Sequence, residues 1–441
     1  MLNHLVEWLQ SLGLHIPGAG LFNYLSFRAM LAAVFSMLIA FFAGGAIIRK
    51  LQRAQIGEEI RDLGLEGQMQ KKGTPTMGGV IIIAAMLAAV ISMLIAFFAG
   101  KRIIRLLQRK QIGEEIRDLG LEGQLQKKGT PTMGGLIIIA AMLGSALLVC
   151  RLDSIYTLLL IGTTLWCGAI GFADDYIKVF KHNKEGMSER GKLILQFGLG
   201  LFIALTVCIS PAIPTDRLVT TIPFVKAHEF DYSWLSPFRG QLGVYCSWGI
   251  YMVMIILVIL ACSNGTNLTD GMDGLAAGTS AIVGVAIGVI AWLGGDVLDA
   301  GYLNIMYIPG SGEVAIYMAA FVGALLGFLW YNTFPAQVFM GDTGSLTIGG
   351  VIGVSAVLIR KELLLPILCG IFLMESLSVI IQRRYFKYTK KKYGEGRRVF
   401  LMAPLHHHYQ KQGIPEARIV VRIWIIGIIL AVSTLALLKI R

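Results

Sequence analysis

Apolar runs of about 20 residues recur along the whole chain, and a helix needs roughly that length to cross a bilayer's hydrocarbon core. Each helix satisfies its own backbone hydrogen bonds, and the runs lack the period-2 alternation of a membrane barrel. The sequence therefore predicts an all-α polytopic membrane protein. The runs cover residues 26 to 44, 79 to 99, 134 to 151, 155 to 173, 191 to 212, 243 to 262, 275 to 294, 315 to 331, 345 to 360, 363 to 382 and 420 to 438.

The composition agrees with this fold class, since 55% of the 441 residues are hydrophobic and 15% are charged. No stretch remains for a large soluble domain, so we expect one integral membrane domain over residues 1 to 441. The net charge of +12 comes from Lys and Arg concentrated in loops between apolar runs, as the positive-inside rule expects. The bilayer, and not nucleic acid, is the predicted partner. The six cysteines show no C-x-x-C spacing, so neither a zinc site nor a disulfide framework is indicated.

A tandem duplication interrupts this pattern, because residues 36 to 87 reappear almost unchanged as residues 92 to 143, an offset of 56. Each unit carries the end of one apolar run, a basic loop and the start of the next run, so the duplication adds one hydrophobic segment. If the N-terminus lies outside and the run 79 to 99 adds no net crossing, the basic loops 177 to 192 and 383 to 411 both fall in the cytoplasm. We therefore predict about ten functional spans plus one extra segment, with the second copy as the working one.

The motif GFADDYIK places Asp174 and Asp175 at the end of an apolar run. Neighbouring helical positions point about 100° apart, so the two carboxylates have separate roles. One could bind a metal while the other accepts a proton. The alternative is an interfacial acidic pair satisfied by Lys178.

The motif SNGTNLTDGMDG spaces Asn264, Asn267, Asp270 and Asp273 by three residues. If the segment is helical, these amides and carboxylates share one face, and the glycines between them let a ligand approach the backbone. This arrangement favours contacts with a nucleotide and a metal phosphate. A capped turn at the membrane surface is the alternative.

The motif YNTFPAQVFMGDTGS contributes Asn332, Phe339 and Asp342 between two spans. Asp342 is predicted at a turn that opens the next helix, where it could be the N-cap. It could instead bind Mg²⁺, which prefers a few carboxylates together with substrate phosphates and water.

The motif MAPLHHHYQ brings three histidines into the last large basic loop, at His406, His407 and His408. Beside Arg397 and Arg398 they suit pyrophosphate recognition or proton transfer. Zinc is disfavoured because consecutive ligands cannot easily wrap one ion. A solvated histidine cluster is the other alternative.

Two further polar features accompany these motifs. GTPTMGG lacks the G-K-[ST] ending of a P-loop, yet Lys127 and Thr132 stand at a predicted helix start, which favours an anion. Glu375, Ser378 and Gln382 form one polar stripe in the apolar run 363 to 382, and such a stripe faces the bundle interior or a wet cavity.

The motifs GTPTMGG, GFADDY, NLTDGMDGLA, FPAQVFMGDTGS and MAPLHHH, in this order across residues 127 to 411, resemble the phospho-N-acetylmuramoyl-pentapeptide transferase (MraY) family. The resemblance implies ten spans and a homodimer in the bacterial inner membrane, with the active site on the cytoplasmic face. It also implies Mg²⁺-dependent transfer from UDP-MurNAc-pentapeptide to undecaprenyl phosphate, giving lipid I and UMP.

The resemblance also implies roles for single residues. Asp174, Asp175 and Asp342 match the essential acids, with Asp342 as the Mg²⁺ ligand and Asp174 or Asp175 as the base, and His406 and His407 match histidines near the phosphates. Positions on the uridine side, or close to it, are matched by Lys127, Thr132, Asn267, Asp270, Asp273, Asn332, Phe339 and Gln382. This chain departs from the family in the tandem unit and in Gln410, where an acid often follows the histidines.

Two rival functions remain open. A sister transferase would move GlcNAc-1-phosphate on the same kind of site. A proton-coupled transporter would also place acids among its helices, although transporter sites lie near the midplane and these acids lie at the ends of the runs.

Overall fold

The computed structural model describes residues 77–109 and 130–438, except 182, 184–185, 211–212, 214–217, 224–228 and 304. The helices in this part are α1 Met77–Arg109, α2 Gly135–Val149, α3 Ile155–Phe180, α4 Glu189–Ile209, α5 Gly240–Thr269, α6 Leu275–Gly295, α7 Val297–Leu303, α8 Ser311–Asn332, α9 Gly341–Leu358, α10 Leu365–Leu368, α11 Gly370–Tyr393, α12 Leu405–Lys411 and α13 Glu416–Leu437. Strands β1 Val219–Thr221 and β2 Glu229–Asp231 form an antiparallel pair, and 3₁₀ turns cover Tyr232–Leu235 and Glu362–Leu364.

The described helices confirm the all-α membrane prediction. Eight are long and apolar enough to cross a bilayer. The segments Glu362–Leu368 and Gly370–Tyr393, bent by 77°, make one further broken span, and α2 is a shorter apolar helix of 15 residues. The described part of the chain therefore supplies about ten apolar segments, while the run 26 to 44 lies outside it.

Helix α9 is the centre of the bundle, and every residue from Thr343 to Leu358 is buried. It packs against α3 and α5. The approach to α5 is close, since a Cβ added at Gly349 would lie 2.3 Å from the backbone oxygen of Cys262. Small residues at such a contact let membrane helices approach each other's backbone.

Helix α1 packs against α8 and α2 as an integral part of the bundle. The Tyr331 hydroxyl donates to the Phe97 carbonyl at 2.6 Å, and Gly323 and Gly327 of α8 lie against Ala89 and Ala96. Since positions rise together in both helices, α1 runs parallel to α8 and ends at the same end as Asn332. The run 79 to 99 is therefore part of a helix packed in the bundle, and whether the repeat adds a net crossing stays a prediction.

The end of the bundle opposite the start of α9 carries the hairpin of β1 and β2, which packs over a buried lysine. Lys361 is 4% exposed and donates to the Thr221 hydroxyl at 2.6 Å. Tyr232 donates to Glu362 at 2.9 Å. These contacts tie the hairpin to the chain that follows α9.

Because Lys361 is buried, we expect the stability of the protein to change with pH in the alkaline range. Its pKa is lowered from 10.5 to about 8, chiefly by burial and also by Arg360, while Glu362 and Glu229 oppose the shift. Because the folded pKa lies below the unfolded one, the unfolded chain binds more protons between these values, and stability rises with pH across that window by up to about 3 kcal/mol. Thermal unfolding in detergent should therefore occur at a higher temperature at pH 9.5 than at pH 7.5. Lys361→Met should remove most of this difference, and an unchanged difference would contradict the assignment.

Candidate active site

Three acidic side chains converge where α3 ends and α9 begins. Asp174, Asp175 and Asp342 each offer an oxygen atom within 4.8 Å of the others, and they are the only such group of potential metal ligands among the described residues. Asp174 and Asp175 are buried, while the side chain of Asp342 is 14% exposed. The sequence prediction that these acids meet is confirmed. Carboxylate oxygens in this arrangement could hold a metal ion.

Asp175 caps helix α9 from a neighbouring helix. Its carboxylate accepts hydrogen bonds from the Asp342 amide at 3.1 Å, from the Thr343 amide at 2.9 Å and from the Thr343 hydroxyl at 2.6 Å. The first amides of a helix have no partner within it, and a negative charge there is favourable. Asp342 lies in the first turn and is not the N-cap, which is Met340. The N-cap alternative for Asp342 is therefore wrong.

Asp174 and Asp342 share two lysines. Lys178 lies 2.6 Å from Asp174 and 3.3 Å from Asp342, and Lys192 lies 3.0 Å and 2.6 Å from the same carboxylates. Asp174 also accepts from the Met187 amide at 2.7 Å. Sequence reasoning had Lys178 only as a partner of the acidic pair and missed Lys192. The one available signal was a lysine one turn into the next helix, just after a basic loop.

Helix α5 brings two asparagines to the same region. Asn267 donates to Asp342 and to the Ser345 hydroxyl, both at 2.9 Å, and Asn264 donates to Gln196 at 2.9 Å. The predicted shared face is correct for these two residues only, because α5 ends at Thr269. The remaining carboxylates of the motif, Asp270 and Asp273, lie beyond that end.

Asp273 and Asn332 join the loop after α5 to the loop between α8 and α9. Asp273 accepts from the Ala336 amide at 3.0 Å, and its own amide donates to Glu416 of α13 at 2.8 Å. Asn332 accepts from Gly274 and donates to the Val338 carbonyl, both at 2.9 Å. Glu416 was missed by sequence reasoning, which gave no signal for a glutamate that opens the last helix.

The described part of the second GTPTMGG motif, residues 130–135, packs beside the loop before α9. The Gly134 amide donates to the Phe339 carbonyl at 2.8 Å, and the Phe339 amide donates to the Pro131 carbonyl at 2.8 Å. Thr132, between these contacts, is buried. A Cβ added at Gly135 would lie 2.1 Å from the Gly344 amide nitrogen of α9. Lys127 and the first-copy Lys71 and Thr76 lie outside the described residues.

The first histidine of the triplet is completely buried. His406 Nδ1 lies 3.2 Å from the carboxylate of Glu375, and a Cβ added at Gly271 would lie 2.2 Å from His406 Nε2. The histidine thus connects α11 to the loop that carries Asp270 and Asp273. Burial of Glu375 and Ser378 confirms that the polar stripe faces inward.

The other predicted residues take different positions. His407 faces Gln410 at 3.1 Å, so an amide stands where the family often has an acid. His408 accepts from the Leu401 amide at 3.1 Å. Gln382 forms hydrogen bonds with the backbone of Val399 and Phe400.

Residues 157–360 match the model of glycosyl transferase family 4. The signature described as phospho-N-acetylmuramoyl-pentapeptide-transferase signature 1 matches twice, at residues 71–83 and 127–139. Both copies of the repeat therefore carry it.

Three curated relatives, each named phospho-N-acetylmuramoyl-pentapeptide-transferase, illustrate the likeness. The protein of Parabacteroides distasonis is 54% identical over 391 residues, and that of Flavobacterium psychrophilum is 54% identical over 380 residues. In both cases the match covers 80% of this chain and 93% of the relative. The protein of Porphyromonas gingivalis strain ATCC 33277 is 46% identical, with 100% of both chains covered.

Proposed function

The chain belongs to the phospho-N-acetylmuramoyl-pentapeptide transferase family, and we propose that it transfers phospho-MurNAc-pentapeptide from UDP-MurNAc-pentapeptide to undecaprenyl phosphate, giving lipid I and UMP. The observation that carries the proposal is the cluster of Asp174, Asp175 and Asp342 with two lysines at the end of a membrane bundle. Carboxylates that can hold a metal, and cations that can hold phosphates, are what phosphoryl transfer requires.

Asp342 is the proposed Mg²⁺ ligand. It is the most exposed of the three acids, and oxygen donors of this kind fit Mg²⁺. When bound, Mg²⁺ would neutralise charge on the pyrophosphate and the leaving nucleotide. Lys178 and Lys192, which already contact Asp342, would then be available to the substrate phosphates.

Asp174 is the proposed base, in preference to Asp175. Both oxygens of Asp175 accept hydrogen bonds that hold the start of α9, so this residue keeps the helix and Asp342 in place. Asp174 instead contacts lysines that a phosphate could attract. The two adjacent acids therefore have separate roles, as their spacing predicts.

Substitution of the two acids should separate these roles. Asp174→Asn should lower turnover by about 10² to 10⁴, the usual contribution of a general base, while it leaves the amides at the start of α9 paired with Asp175. Asp175→Asn turns a carboxylate oxygen into an N–H donor facing other donors, so it should cost about 1 to 3 kcal/mol of stability as well as activity. Thermal unfolding and initial rates of UMP release measure both. Full turnover in Asp174→Asn, with Asp175→Asn inactive but stable, would move the base to Asp175.

The uridine side is proposed to lie between the loop after α5 and the loop before α9. Asp273 and Asn332 hold these two loops together, and Thr132 lies in the segment docked against them. Binding roles here are proposed for Lys127, Thr132, Asn267, Asp270, Asp273, Asn332, Phe339 and Gln382, and a phosphate-side role for His406 and His407. The homodimer stays a prediction.

The second repeat copy is proposed to be the working one. Residues 131–135 dock on the loop before α9, whereas α1 runs parallel to α8 away from the first copy. From the level of Gly100, next to Tyr331, the helix extends back 23 residues to Met77, or about 35 Å at about 1.5 Å per residue. An extra membrane crossing upstream of α1 would reverse the orientation of the residues before α1 only. The active site would then lie on the cytoplasmic face of the bacterial inner membrane, as proposed.

The deciding experiment is release of UMP from UDP-MurNAc-pentapeptide by the reconstituted protein. We expect release that needs both polyprenyl phosphate and Mg²⁺ and stops when EDTA is added. Release from UDP-N-acetylglucosamine alone would favour the sister reaction. No release from either nucleotide would overturn the proposal.

A further inference from the structure

The cytoplasmic-side end of α11 and the chain that follows it form a built arm, residues 383–400. Helix α11 ends at Tyr393, and Gly394, with φ +78°, reverses the chain. Gln382 closes the base of the arm, since its side chain accepts from the amides of Val399 and Phe400 and donates to the Phe400 carbonyl, all at 3.0 Å. The arm is therefore a hairpin of one helix and a returning segment.

Two internal contacts hold the returning segment against the helix. The Arg397 amide donates to the buried Thr389 hydroxyl at 2.8 Å. Gly396 lies on the ring of Phe386, where an added Cβ would come within 2.3 Å of a ring carbon. The arm thus has a defined conformation that fixes where its charged side chains lie.

The basic arm concentrates positive charge at one place. Lys392 lies over the rings of Tyr388 and Tyr393, at 5.6 Å and 5.2 Å, and Arg397 returns to lie 5.0 Å from the Tyr393 ring. None of its cations, all exposed, forms an ion pair with a carboxylate in the part of the chain that the structure describes. They are Arg383, Arg384, Lys387, Lys390, Lys391, Lys392, Arg397 and Arg398.

Helix electrostatics explain only part of this charge. Lysines in the last turn of a helix are favourable, which covers Lys390 to Lys392. Arg383 and Arg384 lie outside that turn, and like charges three or four residues apart, as in Arg383 and Lys387, oppose helix formation. A returning segment that adds Arg397 beside Lys392 increases the repulsion. An external anion would offset it.

We propose that the basic arm binds the anionic headgroups of phospholipids in the leaflet on the active-site side. The arm continues directly from a helix whose apolar side chains Leu377, Ile380 and Ile381 are exposed as in lipid contact. Exposed Tyr388 and Tyr393, 57% and 52% accessible, are the amphipathic rings that favour the membrane interface. A soluble acidic protein or a nucleic acid would not require this continuity with a lipid-facing helix. Clustered basic residues next to a membrane helix attract anionic lipid.

Reconstitution in phosphatidylcholine nanodiscs tests the proposal with spin-labelled phosphatidylglycerol and spin-labelled phosphatidylcholine as probes. The full chain should bind the phosphatidylglycerol probe in preference, and high salt should weaken that preference. In Lys390→Gln/Lys391→Gln/Lys392→Gln the preference should fall at least about fivefold, which corresponds to about 1 kcal/mol, the contribution of one basic residue near an anionic surface.

The matched control removes three exposed basic residues from the site-side end of α1, as Lys101→Gln/Arg102→Gln/Arg105→Gln. It has the same change in net charge and should keep the preference. An equal fall in both variants would mean that general positive charge, and not the arm, selects the lipid, and no fall in the arm variant would also overturn the proposal. Thermal unfolding confirms that each variant is folded. The readout needs no catalysis, so it is independent of the proposed reaction.

Discussion

Asp342→Asn is expected to reduce UMP release by roughly a thousandfold or more, with the fold intact. The carboxylate contacts Lys178, Lys192 and Asn267, and it is the proposed metal ligand. Loss of metal-assisted charge stabilisation would raise the activation free energy by several kcal/mol, and each increment of about 1.4 kcal/mol lowers the rate tenfold. The amide is nearly isosteric, but its N–H group would face one of these donors, so a loss of about 1 to 3 kcal/mol of stability is expected from a protein that still folds. Initial rates over a Mg²⁺ titration measure the effect.

Asp153→Asn is the matched control for this prediction. Asp153 is an acid 69% exposed in its side chain, paired with Arg151 in the loop between α2 and α3, at the other end of α3 from the cluster. Its loss should leave the rate within twofold of the unaltered protein, since isolated exposed ion pairs contribute about 0 to 1 kcal/mol. Near-normal turnover of Asp342→Asn at saturating Mg²⁺ would remove Asp342 from the metal site.

The fold class could be predicted from sequence because lipid leaves a chain few choices. Apolar runs of the right length must form helices, and the acids at their ends are then brought to the ends of the bundle. Asp174 and Asp342, far apart in the chain, were placed together on this argument, and their contact is confirmed. Hydropathy thus supplies the architecture and the chemistry of the motifs supplies the site.

The division of roles within the site could not be predicted, because it depends on which backbone amides meet which side chain. Asp174 and Asp175 are chemically identical, and only the packing of α9 against α3 gives Asp175 the amides of Asp342 and Thr343. Likewise Lys192 and Glu416 act across helices, and no spacing rule links them to their partners. The prediction that the two asparagines and two aspartates of SNGTNLTDGMDG share one helical face was wrong for the aspartates, because α5 ends at Thr269.

The position of the duplicated segment could also not be derived from charge. The positive-inside rule treats every apolar run alike. It could indicate that the chain has one crossing too many, but not which of the repeated runs is the extra one. Packing distinguishes them, since Ala89 and Ala96 of α1 meet glycines of α8 and Ser145 donates to the Ala88 carbonyl at 2.7 Å. Residues 92 to 109, which repeat residues 36 to 53, thus lie inside the bundle.

Gly135→Ala and Gly79→Ala, the same substitution in the two repeat copies, should have opposite outcomes. At Gly135 the new Cβ would lie 2.1 Å from the Gly344 amide nitrogen, where two backbones meet and neither can move alone. Overpacking of this kind costs about 1 to 3 kcal/mol. It would also displace the start of α9, which carries Asp342, and a shift of about 1 Å can cost about a hundredfold in rate. We expect a lower unfolding temperature together with a large loss of UMP release.

Gly79→Ala should leave turnover close to that of the unaltered protein. Gly79 lies near the start of α1, at the end of the bundle away from the site, and alanine is favourable in a helix. The local sequence around the two glycines differs only in Val80 against Leu136, so a large difference between the variants reports position and not composition. If Gly79→Ala lost activity while Gly135→Ala did not, the first copy would be the docked one. The parallel packing of α1 and α8 would then have to be abandoned, because it places Gly79 too far from the start of α9 to affect Asp342.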